Sequence, residues 1–304
     1  MANRWWVYQR ERFPVLAHGL LIAAFSFSAV SFSALLRGPG TYPAWQSAAV
    51  AFVTSFIFFL QLRIADEFKD FDEDAKYRPY RPVPRGLVTL KELGLVGMGG
   101  AAVQLLLALW REPTLALWLA VVWLYLALMS KEFFVGRWLR HQHVLYMLSH
   151  MLILPLVDLY ATACDWWPAQ QRAPHGLLWF LIVSYFNGIV LEVGRKIRAP
   201  EDEEVGVSTY SHLWGRKRAV LAWLGALLVT TLSAILAARE IRFVLPVVAL
   251  LGFLLMIAGL LSRRFLVKPT TGRAKLIEGF SGVWTLLMYL SLGAVPLLAQ
   301  ALGK

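Results

Sequence analysis

Three aspartates spaced four residues apart, Asp66, Asp70 and Asp74, are the side chains of this sequence best placed to do chemistry. They follow the apolar run 44–62. Helical continuation of that run would place them on one stripe, because each step of four advances a helix about 6 Å and drifts about 40° around its axis. Hard divalent ions such as Mg²⁺ bind one or two carboxylates and complete their shell with water and phosphate oxygens. The spacing therefore predicts a Mg²⁺ site whose acids meet water and metal rather than the apolar core; a solvated acidic helix face is the alternative.

A basic, proline-rich segment follows the aspartates directly. Three prolines between residues 79 and 84 end the helix and favour an extended turn. Arginine is suited to bidentate recognition of phosphate groups. Metal-binding acids beside such a turn are what binding of a diphosphate requires. The arginines of this turn are Arg78, Arg81 and Arg85.

The composition indicates a membrane protein. Of the 304 residues 58% are hydrophobic, which is too apolar for an ordinary soluble domain. The net charge of +11 would suggest nucleic acid in a soluble protein, but here it lies in short segments between long apolar runs, so membrane topology explains it and no nucleic-acid partner is predicted. The single cysteine, Cys164, excludes an intrachain disulfide and a cysteine-based metal site.

Apolar runs of about 20 residues predict an all-α polytopic bundle of about nine transmembrane helices, forming a single domain over residues 1–304. The run nearest the amino terminus is too long for a cleavable signal sequence and predicts a retained helix. Thr89 and Glu92 have the spacing of a capping box that begins the third span. The predicted spans are 14–36, 44–62, 93–110, 114–130, 144–163, 177–193, 219–238, 243–262 and 276–299.

The distribution of basic residues predicts the orientation. With the amino terminus inside, the inside segments hold 24 of the 30 Lys and Arg residues and the outside segments hold 6. This asymmetry follows the positive-inside rule. We therefore expect an integral membrane protein of a bacterial plasma membrane, with a cytoplasmic amino terminus, the aspartates on the cytoplasmic side and the carboxyl terminus outside. We expect membrane lipid to surround the protein.

A second acidic stretch lies on the same predicted membrane face, after span six. Glu192 is near the end of an apolar helix, where an ionisable group is costly unless it has a partner. Lys196, one turn later, is one candidate partner and a bound cation is the other. In the first case the pair only holds the helix end, and in the second Glu192 is a metal ligand.

Lys131, at the end of span four, is close enough to the same face to contact a phosphate, although an ordinary loop lysine explains it equally well. Three histidines, at positions 141, 143 and 150, cross a predicted helix start with no carboxylate beside them, so their spacing does not predict a metal site.

These two loops resemble those of the UbiA superfamily of intramembrane prenyltransferases. The family's first signature is Asn-x-x-x-Asp-x-x-x-Asp followed by Arg-Pro-x-x-x-Gly; the segment 66–74 matches it with Asp66 in place of Asn, and the segment 81–86 matches the tail. The second signature is Asp-x-x-x-Asp followed by x-x-x-Gly-x-x-Ser/Thr. Residues from Asp202 onward match its later half, whereas Arg198 stands where the earlier Asp belongs. The resemblance implies that Asp202 is a metal ligand, and we expect Glu192 to replace the missing aspartate. If the segment 194–200 folds back, Glu192 and Asp202 reach one ion, and Arg195 and Lys196 point at the diphosphate; a simple helix-end pair of Glu192 with Lys196 is the alternative.

The resemblance implies a Mg²⁺-dependent prenyltransferase. Carboxylates would hold Mg²⁺ on the diphosphate of an allylic prenyl donor, and arginine and lysine would neutralise the leaving pyrophosphate. A hydrophobic or amphipathic acceptor would then be prenylated: an aromatic acid, a quinone precursor, a haem, a sugar phosphate or a glycerol phosphate lipid. No protein partner is implied. Aromatic rings that could stabilise a cation-like centre are Phe68, Phe71, Tyr125 and Tyr185.

Three other functions fit parts of this pattern. A cation transporter would use an acidic cluster without chemistry, but coupling-ion sites lie near mid-membrane rather than at the interface. A phosphatidyltransferase also uses clustered aspartates, yet its Asp-Gly-x-x-Ala-Arg signature is absent from the sequence. The altered second signature also fits a family member that binds isoprenoid without catalysis.

Overall fold

The computed structural model describes residues 3–204 and 206–303, and within these ranges the chain is helical with no β-strand. Fifteen α-helices follow one another, and two short 3-10 turns cover Glu132–Phe134 and Pro200–Asp202. The α-helices are α1 (Arg4–Arg12), α2 (Val15–Arg37), α3 (Trp45–Lys69), α4 (Phe71–Tyr77), α5 (Leu90–Arg111), α6 (Leu115–Ser130), α7 (Gly136–His141), α8 (His143–Met151), α9 (Ile153–Gln170), α10 (Leu177–Arg195), α11 (Tyr210–Trp214), α12 (Arg216–Glu240), α13 (Val244–Val267), α14 (Thr271–Leu292) and α15 (Ala294–Ala301).

Eight helical segments of the described chain are long and apolar enough to cross a membrane. Two of these segments are bent: α8 continues into α9, and α14 continues into α15. A proline explains each bend, since Pro155 and Pro296 lack the N–H that would bond the carbonyl four residues earlier, in the last turn of the preceding helix. The all-α polytopic fold predicted from the sequence is confirmed.

The shorter apolar helix α6 corresponds to the predicted span 114–130 and lies beside the eight longer segments. Its 16 residues extend about 24 Å, slightly less than a bilayer core of about 30 Å. At its start Thr114 accepts a hydrogen bond from Trp167, at the far end of α9. After its end, Phe133 packs edge-on against His150 of α8. The helix therefore extends from the far end of α9 to the level of α8.

Small residues let the helices approach closely. A side chain at Gly194 of α10 would clash with Ser281 of α14, and one at Gly293 would clash with the backbone of Ser28 in α2. In α5, a Cβ at Gly100 would come within 2.7 Å of an Ile57 side-chain atom. In a membrane the hydrophobic effect does not drive helices together, so they associate through close packing of their backbones. These contacts fix the relative depth of the helices that carry the two acidic loops.

The helix that follows the first acidic loop begins as predicted. The Thr89 hydroxyl accepts from the backbone N–H of Glu92, and the Glu92 carboxylate accepts in return from the Thr89 backbone N–H. This capping box confirms the predicted start of the third span. A small apolar cluster of Tyr8, Ile64, Val83, Val88 and Leu93 packs beneath the loop.

Candidate active site

The first acidic loop is not one straight helix. Asp70 has non-helical backbone angles (φ −96°, ψ 6°) and separates α3 from α4. The i to i+4 bonds still cross this point, because the Asp70 N–H donates to the Asp66 carbonyl (2.9 Å) and the Asp74 N–H donates to the Asp70 carbonyl (2.8 Å). The three carboxylates thus keep their spacing but have different surroundings. Their predicted common exposure to water is wrong for Asp74, which is 1% exposed because guanidinium groups surround it; its role as a metal ligand stays a prediction.

Asp74 lies among three guanidinium groups. Its carboxylate accepts from Arg81 at 2.5 Å, and Arg78 and Arg12 lie 3.3 Å and 3.9 Å from its oxygens. The helical turn of α4 brings Arg78 to it across four residues, and the proline-rich turn brings Arg81 back. Asp74 therefore fixes the positions of three arginines: Arg12 from α1, and Arg78 and Arg81 from the start of the proline-rich turn.

Glu67 is a buried acid of this loop that the sequence analysis did not single out. It is 2% exposed, it accepts from Arg12 at 2.5 Å, and it lies 3.4 Å from Arg63, one turn earlier in α3. Arg12 belongs to α1, which also anchors through an Arg4–Glu92 ion pair of 2.6 Å. The short amino-terminal helix is thus docked across the loop.

The other two aspartates, Asp66 and Asp70, have fewer close contacts than Asp74. Asp66 is partly exposed, and its ion pairs within residues 3–204 and 206–303 are long ones, of 3.8 Å each, with Arg63 and Lys69. Burial raises the pKa of Asp70, and the neighbouring carboxylates raise it further against the lowering effect of Lys69. Arg85, by contrast, turns outward: it bonds to Glu11 at 3.0 Å in an exposed pair.

In the second loop Glu192 is buried between two cations. Lys196 lies 2.8 Å from one of its oxygens and Arg195 contacts the other. The Tyr210 ring packs beneath the Lys196 ammonium, and its hydroxyl donates weakly to Glu192 at 3.5 Å. The charge of Asp66 acts on Arg195, so this cluster faces the first loop.

Asp202 lies in a different arrangement from Glu192. One of its oxygens accepts from the hydroxyl of Thr271 at 2.8 Å, at the first residue of α14. Its neighbour Glu201 accepts from the Thr271 backbone N–H at 3.0 Å, and this bond lowers the pKa of Glu201. The second oxygen of Asp202 is buried without a hydrogen-bond partner in the described chain. Among the residues that the structure describes, Asp202 and Glu192 share no partner.

The two loops meet directly. Gly206 has φ +79°, a backbone conformation that favours glycine, and a side chain there would come within 2.9 Å of the Tyr77 ring at the end of α4. The absence of a Cβ is what lets the second loop lie on Tyr77. Both acidic loops therefore form one surface, at the end of the bundle where α3 and α10 terminate.

An aromatic wall lies beside this surface. Lys69 donates to the Tyr146 hydroxyl at 2.7 Å, and the Tyr146 ring stacks on His150 at 3.9 Å between centroids. Tyr125 packs against Phe133 with 5.6 Å between the ring centroids. Tyr185, on α10, donates through its hydroxyl to the Leu148 carbonyl, so it also reaches α8.

Three residues that the sequence predicted to contact the substrate, Phe68, Phe71 and Lys131, lie outside this aromatic wall. Phe68 and Phe71 are exposed. Lys131 is exposed at the end of α6, next to three consecutive residues in the left-handed conformation, Glu132–Phe134. The buried Glu132 accepts two bonds from Arg140, at 3.0 Å and 2.9 Å, and these bonds raise the pKa of the guanidinium.

The described residues contain no ready-made group of three or more acidic, histidine or cysteine side chains that would hold a metal by themselves. Mg²⁺ does not require one, since it takes one or two carboxylates and completes its shell with water and substrate phosphates. Asp66 and Asp70, on consecutive turns, fit that description. Asp74 and Asp202 each have one buried oxygen without a hydrogen-bond partner among the described residues, and these oxygens could serve as further metal ligands.

Comparison with known proteins agrees with this arrangement. A model of the UbiA prenyltransferase family matches residues 24–276. The chain belongs to the UbiA prenyltransferase family. Helix α1, which carries Arg12, lies before the matched region, whereas both acidic loops lie within it. No protein with a curated description matches the sequence of this family member.

Solved structures share the fold at low sequence identity. A UbiA homologue from Aeropyrum pernix K1, in its apo form, is 16% identical with a TM-score of 0.67, covering 91% of this chain and 96% of its own. A digeranylgeranylglyceryl phosphate synthase is 15% identical with a TM-score of 0.60, covering 96% and 99%. A UbiA homologue from Archaeoglobus fulgidus bound to DMAPP and Mg²⁺ is 11% identical with a TM-score of 0.53, covering 90% and 98%.

Proposed function

We propose that this protein transfers a prenyl group from an allylic prenyl diphosphate to an acceptor within the membrane, with Mg²⁺ as cofactor and pyrophosphate as the released product. The observation that carries the proposal is the meeting of the two acidic loops, through Gly206 on Tyr77, in a chain that belongs to a prenyltransferase family. The Archaeoglobus fulgidus homologue bound to DMAPP and Mg²⁺ supports the donor class and the metal.

The guanidiniums of the first loop suit a diphosphate. In this cluster four guanidiniums surround two buried carboxylates, and two of the four, Arg63 and Arg78, also pair with the more exposed Asp66 and Glu73. Guanidiniums placed in this way would stabilise negative charge that develops on a leaving pyrophosphate. Arg195 and Lys196 add cations from the second loop, and we propose Arg85 and Lys131, both exposed in this conformation, as further contacts of the diphosphate. The cluster consists of Arg12, Arg63, Arg78, Arg81, Glu67 and Asp74.

We propose that the metal is held first by Asp66 and Asp70, whose oxygens are the least engaged. Bound Mg²⁺ supplies positive charge to the diphosphate and so eases cleavage of the bond to the allylic carbon. Asp74, Glu192 and Asp202 are further proposed ligands. Asp74 and Glu192 would exchange a guanidinium or ammonium partner for the metal, and Asp202 would offer its second oxygen.

The bundle supplies the apolar half of the site. The helices that end at the acidic surface enclose aromatic side chains, among them Tyr125, Tyr146 and Tyr185, that can face a cation-like carbon and exclude water. Water exclusion matters because water would otherwise capture the prenyl cation. A hydrophobic or amphipathic acceptor dissolved in the membrane is the acceptor class that suits such a site, and we propose that the whole chain functions as a single domain.

Purified protein in lipid nanodiscs tests the proposal. Geranyl or geranylgeranyl diphosphate is supplied with total membrane lipid, and pyrophosphate release is measured with Mg²⁺ and after chelation by EDTA. We expect release that depends on Mg²⁺ and that is lost in an Asp70→Asn, Asp74→Asn double variant. Mg²⁺-dependent binding of the donor without pyrophosphate release would instead indicate a binding or transport protein.

A further inference from the structure

His150 presents a buried hydrogen-bond acceptor beside the proposed site. It is 7% exposed, and its Nδ1 lies 2.8 Å from the Tyr146 carbonyl oxygen. A carbonyl oxygen only accepts, so in the neutral ring the proton is on Nδ1 and the lone pair is on Nε2. Within residues 3–204 and 206–303, Nε2 is buried without a hydrogen-bond partner. A buried polar atom left unpaired is costly, and a ligand that supplies a donor would remove the cost.

The position of the His150 ring along α8 matches the depth at which the allylic carbon of the donor would lie. Helix α8 begins at the acidic end with His143 and runs into the bundle, so His150 lies about 10 Å deeper than its first residue. Lys69, next to Asp70, is bonded to Tyr146, and the Tyr146 ring stacks on the imidazole. The allylic carbon is attached to the diphosphate and points into the bundle, so it would lie just below the acids, at the level of this ring.

Two acceptors close to the imidazole are already engaged. The Glu132 carboxylate is held by Arg140, and the Tyr146 hydroxyl accepts from Lys69. The charged groups that act on the imidazole are Lys69, Glu132 and Asp66. Phe133 packs edge-on at 6.0 Å and, with Tyr146, covers the imidazole.

We propose that His150 is a catalytic residue whose Nε2 accepts the proton that the acceptor loses during prenyl transfer; this inference rests on the proposed function. A carbon or oxygen of the acceptor forms a bond to the allylic carbon, and the bond from that carbon to the diphosphate oxygen breaks, with its electron pair leaving on pyrophosphate. The acceptor's O–H or ring C–H proton passes to Nε2 and later to water. Cleavage of the donor bond itself does not need this base.

Because donor cleavage and proton transfer from the acceptor are separate steps, variants of His150 test the proposal directly. His150→Asn retains an amide N–H that can donate to the Tyr146 carbonyl but has no atom in the place of Nε2, and His150→Gln offers an acceptor oxygen that does not take up a proton. His141→Asn, at an exposed histidine of α7, is the matched control. Each protein is assayed in nanodiscs with Mg²⁺, geranyl diphosphate, and either para-hydroxybenzoate or geranylgeranylglyceryl phosphate as acceptor.

Two readouts are taken from the same preparations. Transfer is measured as prenylated product, and donor cleavage is measured as exchange of a heavy-oxygen label between bridging and non-bridging positions of the diphosphate. We expect both His150 variants to lose transfer by about 100-fold or more, the usual share of a general base, while label exchange stays at the wild-type level. The His141→Asn control should retain both activities.

Two results would overturn the role of His150: unchanged transfer in His150→Asn, or transfer and label exchange falling together, which would mean a structural role only. Recovery of transfer in His150→Gln would show that hydrogen bonding suffices and that no proton is accepted. Absence of both label exchange and transfer in the wild-type protein would refute the proposed function itself.

Discussion

Replacing Asp74 by Asn tests whether this acid holds the arginine cluster in place. The substitution keeps the size of the side chain and removes its charge, while guanidiniums remain at 2.5, 3.3 and 3.9 Å. Removing one partner of a buried ion pair costs about 3–5 kcal/mol. The three arginines retain some contact with water, so we expect the lower end, about 3 kcal/mol of unfolding free energy.

That loss is large enough to measure. At about 1.4 kcal/mol per factor of ten, it lowers the folded-to-unfolded ratio by roughly 100-fold. For a chain of this size it corresponds to a fall in melting temperature of roughly 6–12 °C. The assay is thermal unfolding of the protein in nanodiscs, followed by tryptophan fluorescence.

Glu73→Gln is the matched control for Asp74→Asn. Glu73 pairs with the same Arg78 at 3.3 Å, but its side chain is 46% exposed. An exposed pair contributes about 0–1 kcal/mol, so Glu73→Gln should melt close to the wild-type temperature. A wild-type melting temperature for Asp74→Asn, or an equal fall in both variants, would refute the reasoning that burial makes Asp74 the organising acid.

Three further predictions concern metal binding, the second loop and topology. Asp70→Asn should lose Mg²⁺-dependent pyrophosphate release without a large fall in melting temperature, whereas Asp66→Asn should keep activity because an amide oxygen still serves there; equal activity of both variants would contradict this. Glu192→Gln should lower turnover by orders of magnitude if Glu192 serves the diphosphate site, and a silent substitution would leave it only an ion-pair role. Cysteines introduced at Ala75 and Glu204 should both be labelled from the cytoplasmic side alone; labelling of the two from opposite faces would exclude a shared site.

The helices of this fold could be predicted from the sequence because hydrophobic run length is a local property. The predicted span 177–193 is observed as Leu177–Arg195, and the span 14–36 is observed as Val15–Arg37. The Thr89 capping box was likewise readable from four consecutive residues. Helix ends on the acidic side extend further than predicted, since charged residues continue a helix once they leave the apolar region.

The pairing of charges within the site could not be predicted in the same way. Arg12 and Glu67 are 55 residues apart, and Asp202 reaches Thr271 across 69 residues. No local pattern selects such partners. The nearest sequence signal for Glu67 is its position four residues after Arg63, which identifies one of its two cations only.

The burial of Asp74 could not be predicted for the same reason. A spacing of four indicates a shared helix face, but the interruption at Asp70 and the docking of α1 decide which acids face water. The proposed role of His150 also depends on tertiary structure, because its imidazole is covered by Phe133 from the turn that follows α6 and by Tyr146, which Lys69 of α3 holds in place.

The central claim is that a prenyl group leaves a diphosphate and becomes attached to an acceptor in the membrane. The most direct measurement supplies deuterated geranylgeranyl diphosphate and Mg²⁺ to the protein in its own membranes and analyses all lipids by mass spectrometry. We predict a lipid or aromatic product that gains the labelled prenyl mass in step with pyrophosphate release, and no such product with the Asp70→Asn, Asp74→Asn variant. Pyrophosphate release without any prenylated product, or the same product in membranes that lack the protein, would contradict the claim.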